Sequence, residues 1–426
     1  MSTFPFYRAT ALLVTVLGAA ACPAVAQTPT PPAQAAFTRA EAGRFALANS
    51  PLAGAARERV AAAQGGLQSA AARPPLEANL GVAVGGEGRT PLLTQTLETS
   101  GRRGPRTGVA RNELVTAARE GDVARLDIAR DVSRAYFDLA QAQQSVALFV
   151  EVAGIVGDTR NSVQKQVEVG AIPAQDLVKA EVEAARAASD VTRAQSVLET
   201  ARVVLNALMG RAPDAPLTAS EPLSFAPIGE LDPAVLAARA TSDRPELAAS
   251  DARVAAAREN VRLQQADYRP DVALSLLQNT NVNDSGFLRP RSTGVGVGLI
   301  FPVFDTGRIR GRVRQAEAQA REQEALKKQA NLTVLREVGA ALAQVRATET
   351  LVTRYEKEIL PRAQDLLNKA RFGYERGGTT LLEYLEAQRT FRNTRAEYLT
   401  ALGDNARARA DLERAVGGSD TPTPDP

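Results

Sequence analysis

Four stretches of the chain alternate apolar residues with small or polar ones: Leu76–Gly85, Leu93–Thr99, Asp271–Asn279 and Thr293–Phe304. In the first, every second residue from Leu76 to Val84 is apolar, and the second stretch shows a weaker form of the same pattern. A period of two places one kind of residue on each face of a β-strand. The sequence therefore predicts two pairs of strands, at about residues 76–100 and 271–304.

The stretches after each strand pair lack strong helix breakers and are expected to be very long helices. They run over about 108–170 and 173–210 in one half, and over about 306–376 and 380–416 in the other, where Pro361 is the strongest interruption. Apolar residues there follow steps of three and four, which is the spacing of a coiled coil. At 1.5 Å per residue the longer helices would span roughly 90 to 105 Å. All four strands would then lie at one pole and the two helix turns at the other.

The chain also repeats itself. Val167–Gly170 and Tyr374–Gly377 open two similar segments that end at Gly210 and Gly417, and both pairs of glycines are 207 residues apart, 377 minus 170 and 417 minus 210. We therefore predict a first repeat over 38–230 and a second over 231–417, followed by a disordered tail at 418–426. Each repeat would begin with a shorter helix, one ending at about Arg73 before two prolines and one at about 244–268.

The N-terminus has the features of a secretory signal. An apolar run, Ala9–Cys22, precedes Ala24-Val25-Ala26, whose small residues fit signal peptidase, so a signal peptide over 1–26 and a linker over 27–37 are expected. Cleavage there would remove Cys22, the one cysteine of the chain. Alternatively, Ala19–Cys22 is a lipoprotein box and Cys22 carries a lipid. No later run is expected to be apolar enough to cross a membrane as a helix.

Composition excludes most catalytic chemistry. The chain has no His and no Trp, so Ser-His-Asp and Cys-His arrangements, His-ligated haem and His/Cys zinc sites are ruled out. No enzymatic activity, cofactor or metal site is predicted. The 51 basic and 48 acidic residues nearly balance and are dispersed, which disfavours nucleic acid as a partner.

The strands themselves permit two interpretations. One strand of this kind is more often part of an ordinary β-hairpin on a helical core, but four of about ten residues in an exported chain favour a membrane β-barrel. Because an open sheet edge is not tolerated in lipid and barrels begin at about eight strands, such a chain must oligomerise. Two copies would give eight strands and three copies twelve.

Several motifs resemble the TolC family of outer-membrane efflux ducts. The most specific is Tyr374–Arg389, with Ile359–Pro361 before it, Val416-Gly417 at the end and Gly298–Asp305 between the last strand and the long helix. The resemblance implies a mainly α protomer with a membrane β-barrel portion: a trimer whose twelve-stranded barrel in the outer membrane is stacked on a twelve-helix α-barrel tunnel in the periplasm. It also implies outer-membrane lipid, a periplasmic adaptor (membrane fusion) protein and an inner-membrane pump of the RND type as partners. Residues 97–106 are similar to the branch that serves heavy-metal efflux.

The resemblance also implies candidate site residues at the periplasmic mouth. The positions that narrow it fall on four residues here: Asp176, Tyr374, Glu383 and Glu386. A family member carries arginine where this chain has Thr379, so Arg376 is a possible replacement partner. The adaptor would contact the turns at Gly170, Gly377 and Gly378. On the simpler interpretation the carboxylates are solvated helix-surface charges.

The sequence is also compatible with other functions. The chain could be the outer-membrane component of type I protein secretion, which uses the same kind of duct. A periplasmic adaptor, or a structural coiled-coil rod without a pore, is also compatible with long helices. Neither alternative explains two strand pairs that alternate with two helical hairpins. The sequence identifies neither the cargo nor the resting state of the mouth.

Overall fold

A computed structural model of the chain describes residues 35–78, 89–282, 288–303 and 305–418. The signal peptide, Cys22, most of the linker and residues 419–426 of the tail lie outside these ranges. In the first half the elements are β1 (Ala35–Phe37), α1 (Arg39–Asn49), α2 (Pro51–Ala71), β2 (Leu76–Ala78), β3 (Arg89–Leu97), α3 (Arg103–Glu168), α4 (Ala174–Met209) and β4 (Leu217–Ala219). In the second half they are α5 (Pro233–Asp243), α6 (Pro245–Ala266), β5 (Asp271–Val282), β6 (Leu288–Ile300), α7 (Arg308–Arg354), α8 (Leu360–Glu375) and α9 (Leu381–Val416).

The first helical stretch is two helices and not the single helix expected up to Arg73. It breaks at Ser50-Pro51, because proline has no amide hydrogen to continue the first helix but fits the first position of the next. Ser50 joins the two helices: its amide donates to the Ala46 carbonyl (2.7 Å) and its side chain accepts from the Leu52 amide (3.3 Å). In the second half, α5 and α6 meet at Arg244-Pro245, where the Arg244 amide donates to the Ala240 carbonyl (3.1 Å) but its side chain does not cap α6.

Strands β2, β3, β5 and β6 form one antiparallel sheet in the order β2-β3-β5-β6. The pairing of β3 with β5 joins the two halves of the chain, and its register was not predicted from the sequence. Leu274 pairs with Val297 and Ala273 with Gly298, so large apolar residues share one face of β5 and β6, and small residues share the other. On the apolar face Val295 is 81% and Val297 72% exposed. The alternating pattern at Leu80–Gly85 lies outside the described residues.

Helices α7 and α8 are one continuous rod interrupted by a π-helical turn at Tyr355–Ile359. The turn lies just before Pro361, whose missing amide would leave a gap in an ordinary α-helix, and which was the one strong interruption expected there. Two tyrosine–glutamate hydrogen bonds join this region to α9: Tyr355 to Glu397 (3.1 Å) and Tyr398 to Glu356 (2.7 Å). The π-helical turn is therefore attached to α9 by two hydrogen bonds, one with its tyrosine on the turn and the other with its tyrosine on α9.

Three matched pairs of glycines have positive φ angles, which disfavour residues with a Cβ. They are Gly101 and Gly307 at the starts of the long helices, Gly170 and Gly377 at the turns, and Gly210 and Gly417 at the ends of α4 and α9. The internal duplication stays a prediction, and these shared backbone conformations are in keeping with it.

Helix α3 corrects one expectation of the sequence. Among the described residues it is the one helix that is long enough and, over one window, apolar enough to cross a membrane by length and composition alone. Several of its apolar side chains are instead buried among helices: Leu148, Val152 and Val156 pack with Ala187 of α4. These three apolar side chains of α3 therefore make contacts between helices and are not exposed.

Candidate functional site

The candidate site lies at the pole where α3 turns into α4 and α8 turns into α9. Both turns end their first helix with a glycine of positive φ, Gly170 (71°) and Gly377 (74°). A cluster of buried side chains holds the two turns together, and we call it the turn cluster: Val163, Ala180, Ala370, Leu381, Tyr384, Leu385 and Ala387, with Ile172, Leu177, Leu367 and Tyr374 packed against it. The two helical hairpins of the protomer therefore end as one packed unit.

Hydrogen bonds to the last turn of α8 close the second turn. The Gly378 amide donates to the Gly373 carbonyl (2.8 Å), and the Thr379 hydroxyl donates to the Ala370 carbonyl (3.2 Å). The Thr379 side chain lies so close to Gly373 that a Cβ added at Gly373 would collide with the Thr379 hydroxyl. Thr379, which stands where a family member has arginine, therefore closes its own turn with backbone contacts.

Tyr374 and Asp176 come together at this pole. The Tyr374 ring stacks on the ring of Tyr384, with centroids 5.4 Å apart and planes 11° from parallel, and its hydroxyl donates to Gln166 of α3 (3.3 Å). Burial raises the pKa of Tyr374, and the negative charge of nearby Asp176 raises it further. Asp176 itself pairs with Lys179 one turn later on α4 (2.9 Å).

Glu383 and Glu386 are exposed but neither is free of partners within its own helix. Glu383 accepts from the Thr380 amide (2.9 Å) while the Thr380 side chain accepts from the Glu383 amide, so the two residues form a capping box at the start of α9. Glu386 pairs with Arg389 (2.7 Å). Arg376 stacks its guanidinium over the Phe372 ring (3.8 Å), and in the described part of the chain it forms no ion pair with the four candidate residues.

The sequence did not single out the ion pairs that connect α9 to α4. Arg389 donates to Glu183 (2.5 Å), which is only 9% exposed and also pairs with Arg186 (2.8 Å). The hydrogen bond to Glu183 raises the pKa of Arg389 above its ordinary value, so the cation is retained. About one turn further along α9, Arg392 pairs with Asp190 of α4 (3.2 Å). We call these two pairs the α4–α9 link.

The link matters because α4 packs mainly on α3 and has few direct contacts with α9. The long side chains of Arg389 and Arg392 reach from α9 to the largely buried carboxylates of Glu183 and Asp190 on α4. A signal for Glu183 was available, since it follows Ala180 by three residues and precedes Ala187 by four on the buried stripe of α4. A charge on such a stripe needs a partner.

The sequence of this chain is similar to sequences of known membrane-associated efflux and resistance proteins. Residues 236–418 match the sequence model of the family described as outer membrane efflux protein. The cobalt-zinc-cadmium resistance protein CzcC of Cupriavidus metallidurans is 28% identical over 334 residues, which cover 77% of each chain. The solvent efflux pump outer membrane protein SrpC of Pseudomonas putida is 25% identical over 246 residues, 56% of this chain and 52% of its own.

The fold has a solved counterpart. The crystal structure of the outer membrane protein VceC from Vibrio cholerae superimposes with a TM-score of 0.73 at 22% identity, covering 89% of this chain and 96% of VceC. At that identity the likeness concerns the fold.

Proposed function

We propose that the chain, whose residues 236–418 match the outer membrane efflux protein family, is the passive exit duct of a tripartite efflux system. It lies in the outer membrane and extends into the periplasm; the relative SrpC and the structural neighbour VceC are both described as outer membrane proteins. The observation that carries the proposal is the exposed apolar face of the four-stranded sheet, placed where two long helical hairpins begin. Such a face suits lipid, and the hairpins suit a tunnel.

We further propose a trimer. Within the described residues, β2 and β6 are the two edges of the sheet, and each has an unpaired side. An open edge is not tolerated in lipid, so β6 of one protomer would pair with β2 of the next. Three copies would close a twelve-stranded barrel over a twelve-helix tunnel, as the family resemblance implies. The two-repeat organisation of the protomer is part of the same proposal and is supported by the matched glycines.

The partners follow from the same assignment. An exit duct has no energy source of its own, so a periplasmic adaptor and an inner-membrane pump, of the RND type, would drive transport. For cargo we favour metal cations, because CzcC is named for cobalt, zinc and cadmium and is similar over more of the chain than SrpC, which is named for solvent efflux. In the described part of the chain no group of carboxylates is arranged to hold a metal ion. A duct that bound its cargo tightly would not release it.

The purified protein, reconstituted in a planar bilayer, is expected to conduct cations in preference to anions. Three copies of Glu383 and Glu386 would form acidic rings at the mouth, where two carboxylates about 6 Å apart repel by roughly 3 kcal/mol at an effective dielectric of 20. Such rings attract multivalent cations, which should block the channel from the periplasmic side. A protein that forms no channel would contradict the proposed function.

The double variant Glu383→Gln with Glu386→Gln tests the rings themselves. Glutamine keeps the capping box at Glu383 and has a similar helix propensity, so α9 should remain folded. We expect weaker cation preference and weaker block in single-channel recordings. If both stay at the wild-type level, the two residues are ordinary surface charges.

Gly378→Leu tests adaptor docking at the turn. The φ angle of Gly378 is not in the strained region and a Cβ there makes only ordinary contact, so leucine adds bulk without distorting the backbone. In cells that carry the adaptor and pump, we expect loss of resistance to the cargo while the trimer stays in the outer membrane. Gly66→Leu, at an open position in α2, is the matched control and should keep resistance. Loss of the trimer in Gly378→Leu alone would mean that the turn serves folding.

A further inference from the structure

Exposed arginines gather where the strands meet the helices. Arg73 precedes β2, Arg269 precedes β5, Arg103 opens α3, and Arg308 and Arg310 lie in the first turn of α7. All five are exposed, and we call them the arginine belt. They come from four separate segments of the chain, which the sheet brings to one level.

Four of the five carboxylates at this level are already occupied by other groups, and the fifth, Glu77, is exposed on β2. Glu98 pairs with Arg106, and Asp267 pairs with both Arg102 and Arg312 at 3.0 Å. Asp271 accepts from the Ser100 amide (3.0 Å), and Asp305 accepts from backbone amides that start α7, including Ile309 (3.0 Å). Within the described ranges, none of the five belt arginines has a carboxylate at ion-pair distance.

The charge of the whole chain is concentrated here. Residues 72–78, 95–106, 266–273 and 298–314 contain nine arginines and five acidic residues, a net charge of +4, whereas the whole chain has +3. The rest of the chain therefore sums to 3 minus 4, or −1. A positive surface confined to one level of an elongated molecule indicates an anionic partner at that level.

The surface next to the belt is apolar and aromatic. Phe301 is 51% and Val303 69% exposed just beyond β6, and Tyr268 is 49% exposed beside Arg269. Exposed aromatic side chains next to an apolar band are typical of the boundary between a membrane and water. Arginine at that depth meets phosphate groups, which its planar guanidinium binds with two hydrogen bonds.

We propose that the arginine belt binds the phosphates of anionic phospholipids in the periplasmic leaflet of the outer membrane. The inference rests on the proposed function, because it requires that the sheet lie in that membrane with the helices in the periplasm. The belt would fix the depth of the barrel, and bound lipid would cover guanidinium groups that have no carboxylate partner in the protomer. Phospholipid is the occupant, and not lipopolysaccharide, because the belt lies on the helical side of the sheet.

The test compares lipid binding by the purified full-length trimer, using native mass spectrometry with added phosphatidylglycerol or phosphatidylethanolamine. The variant carries Arg73→Gln, Arg103→Gln, Arg269→Gln, Arg308→Gln and Arg310→Gln. We expect its binding of phosphatidylglycerol to fall by roughly tenfold or more, since each basic residue near a membrane surface contributes to anionic lipid binding. Binding of phosphatidylethanolamine should change little.

A matched control changes five exposed arginines away from the belt, also without ion pairs in the described residues: Arg57, Arg336, Arg354, Arg362 and Arg371. This control should bind phosphatidylglycerol as the wild type does. Unchanged binding in the belt variant, equal binding of the two lipids by the wild type, or a preference for lipopolysaccharide would each overturn the proposal.

Two further outcomes separate the possible failures. If the wild type forms no trimer in the outer membrane, the proposed function itself fails. If the belt variant alone loses its trimer, the corresponding five-lysine variant, which keeps the charge, is measured in its place. The proposal then requires that this variant keep the selectivity for phosphatidylglycerol, and loss of that selectivity would overturn it.

Discussion

Val297→Arg is expected to prevent most of the chain from assembling in the outer membrane. Val297 lies mid-strand on the apolar face of β6, pairs with Leu274 and is 72% exposed. A charge on the lipid face near the bilayer midplane costs about 2 to 4 kcal/mol, and a trimer would carry three such charges. The measurement is the fraction of the protein that runs as a heat-modifiable trimer in outer-membrane extracts.

Gly296→Arg is the matched control, since Gly296 is the neighbouring residue and points to the opposite face, where it pairs with Ser275. A wide, aqueous lumen should accept this arginine, so a milder loss of trimer is expected. Equal losses for both variants would contradict the assignment of the two faces. A monodisperse wild-type monomer with its full β-structure would contradict the barrel. The corresponding pair Val82 and Ala83 lies outside the described residues.

Arg389→Ala is expected to open the periplasmic mouth. It removes the hydrogen bond to Glu183, and a hydrogen bond to a charged group contributes about 1.5 to 3 kcal/mol. Glu183 is 9% exposed and keeps only the exposed Arg186 as a counter-ion, so α4 should separate more readily from α9. A change of that size shifts an equilibrium between closed and open states by roughly tenfold or more. Single-channel recordings should therefore show a larger open probability or conductance.

The matched control is Arg395→Ala, six residues along the same helix. Arg395 pairs with Glu151 of α3 (3.0 Å) instead of with α4, and both side chains are more exposed. An exposed pair contributes about 0 to 1 kcal/mol, so little change in conductance is expected. Equal effects of the two variants, or no effect of Arg389→Ala on a folded trimer, would show that the α4–α9 link does not hold the mouth closed.

The candidate site was only partly accessible from the sequence. The spacing Thr380-x-x-Glu383 is a capping-box signature and is sufficient to predict Glu383 as part of the helix cap of α9. The partnership of Glu183 with Arg389 could not be read in this way, because 206 residues separate the two and the position of Glu183 on a buried stripe does not say which residue pairs with it. Only packing of the two hairpins brings them together.

The sequence alone determined the local elements. Period-two alternation established which faces of β5 and β6 are apolar, and the lack of breakers established long helices, because both depend on neighbours along the chain. The π-helical turn before Pro361 follows from the missing amide of proline. The helix break at Ser50-Pro51 was also readable, although the expectation of a single helix to Arg73 overlooked it.

The tertiary structure alone decided which elements meet. The pairing of β3 with β5, the shared turn cluster and the α4–α9 link each join residues far apart in the chain. The same holds for the arginine belt, whose members come from four segments. Local pattern fixes which face of an element is apolar, but many partners could cover that face. The choice among them depends on chain connections, on shape and on the need to pair every buried charge, and these conditions are met only in the assembled fold.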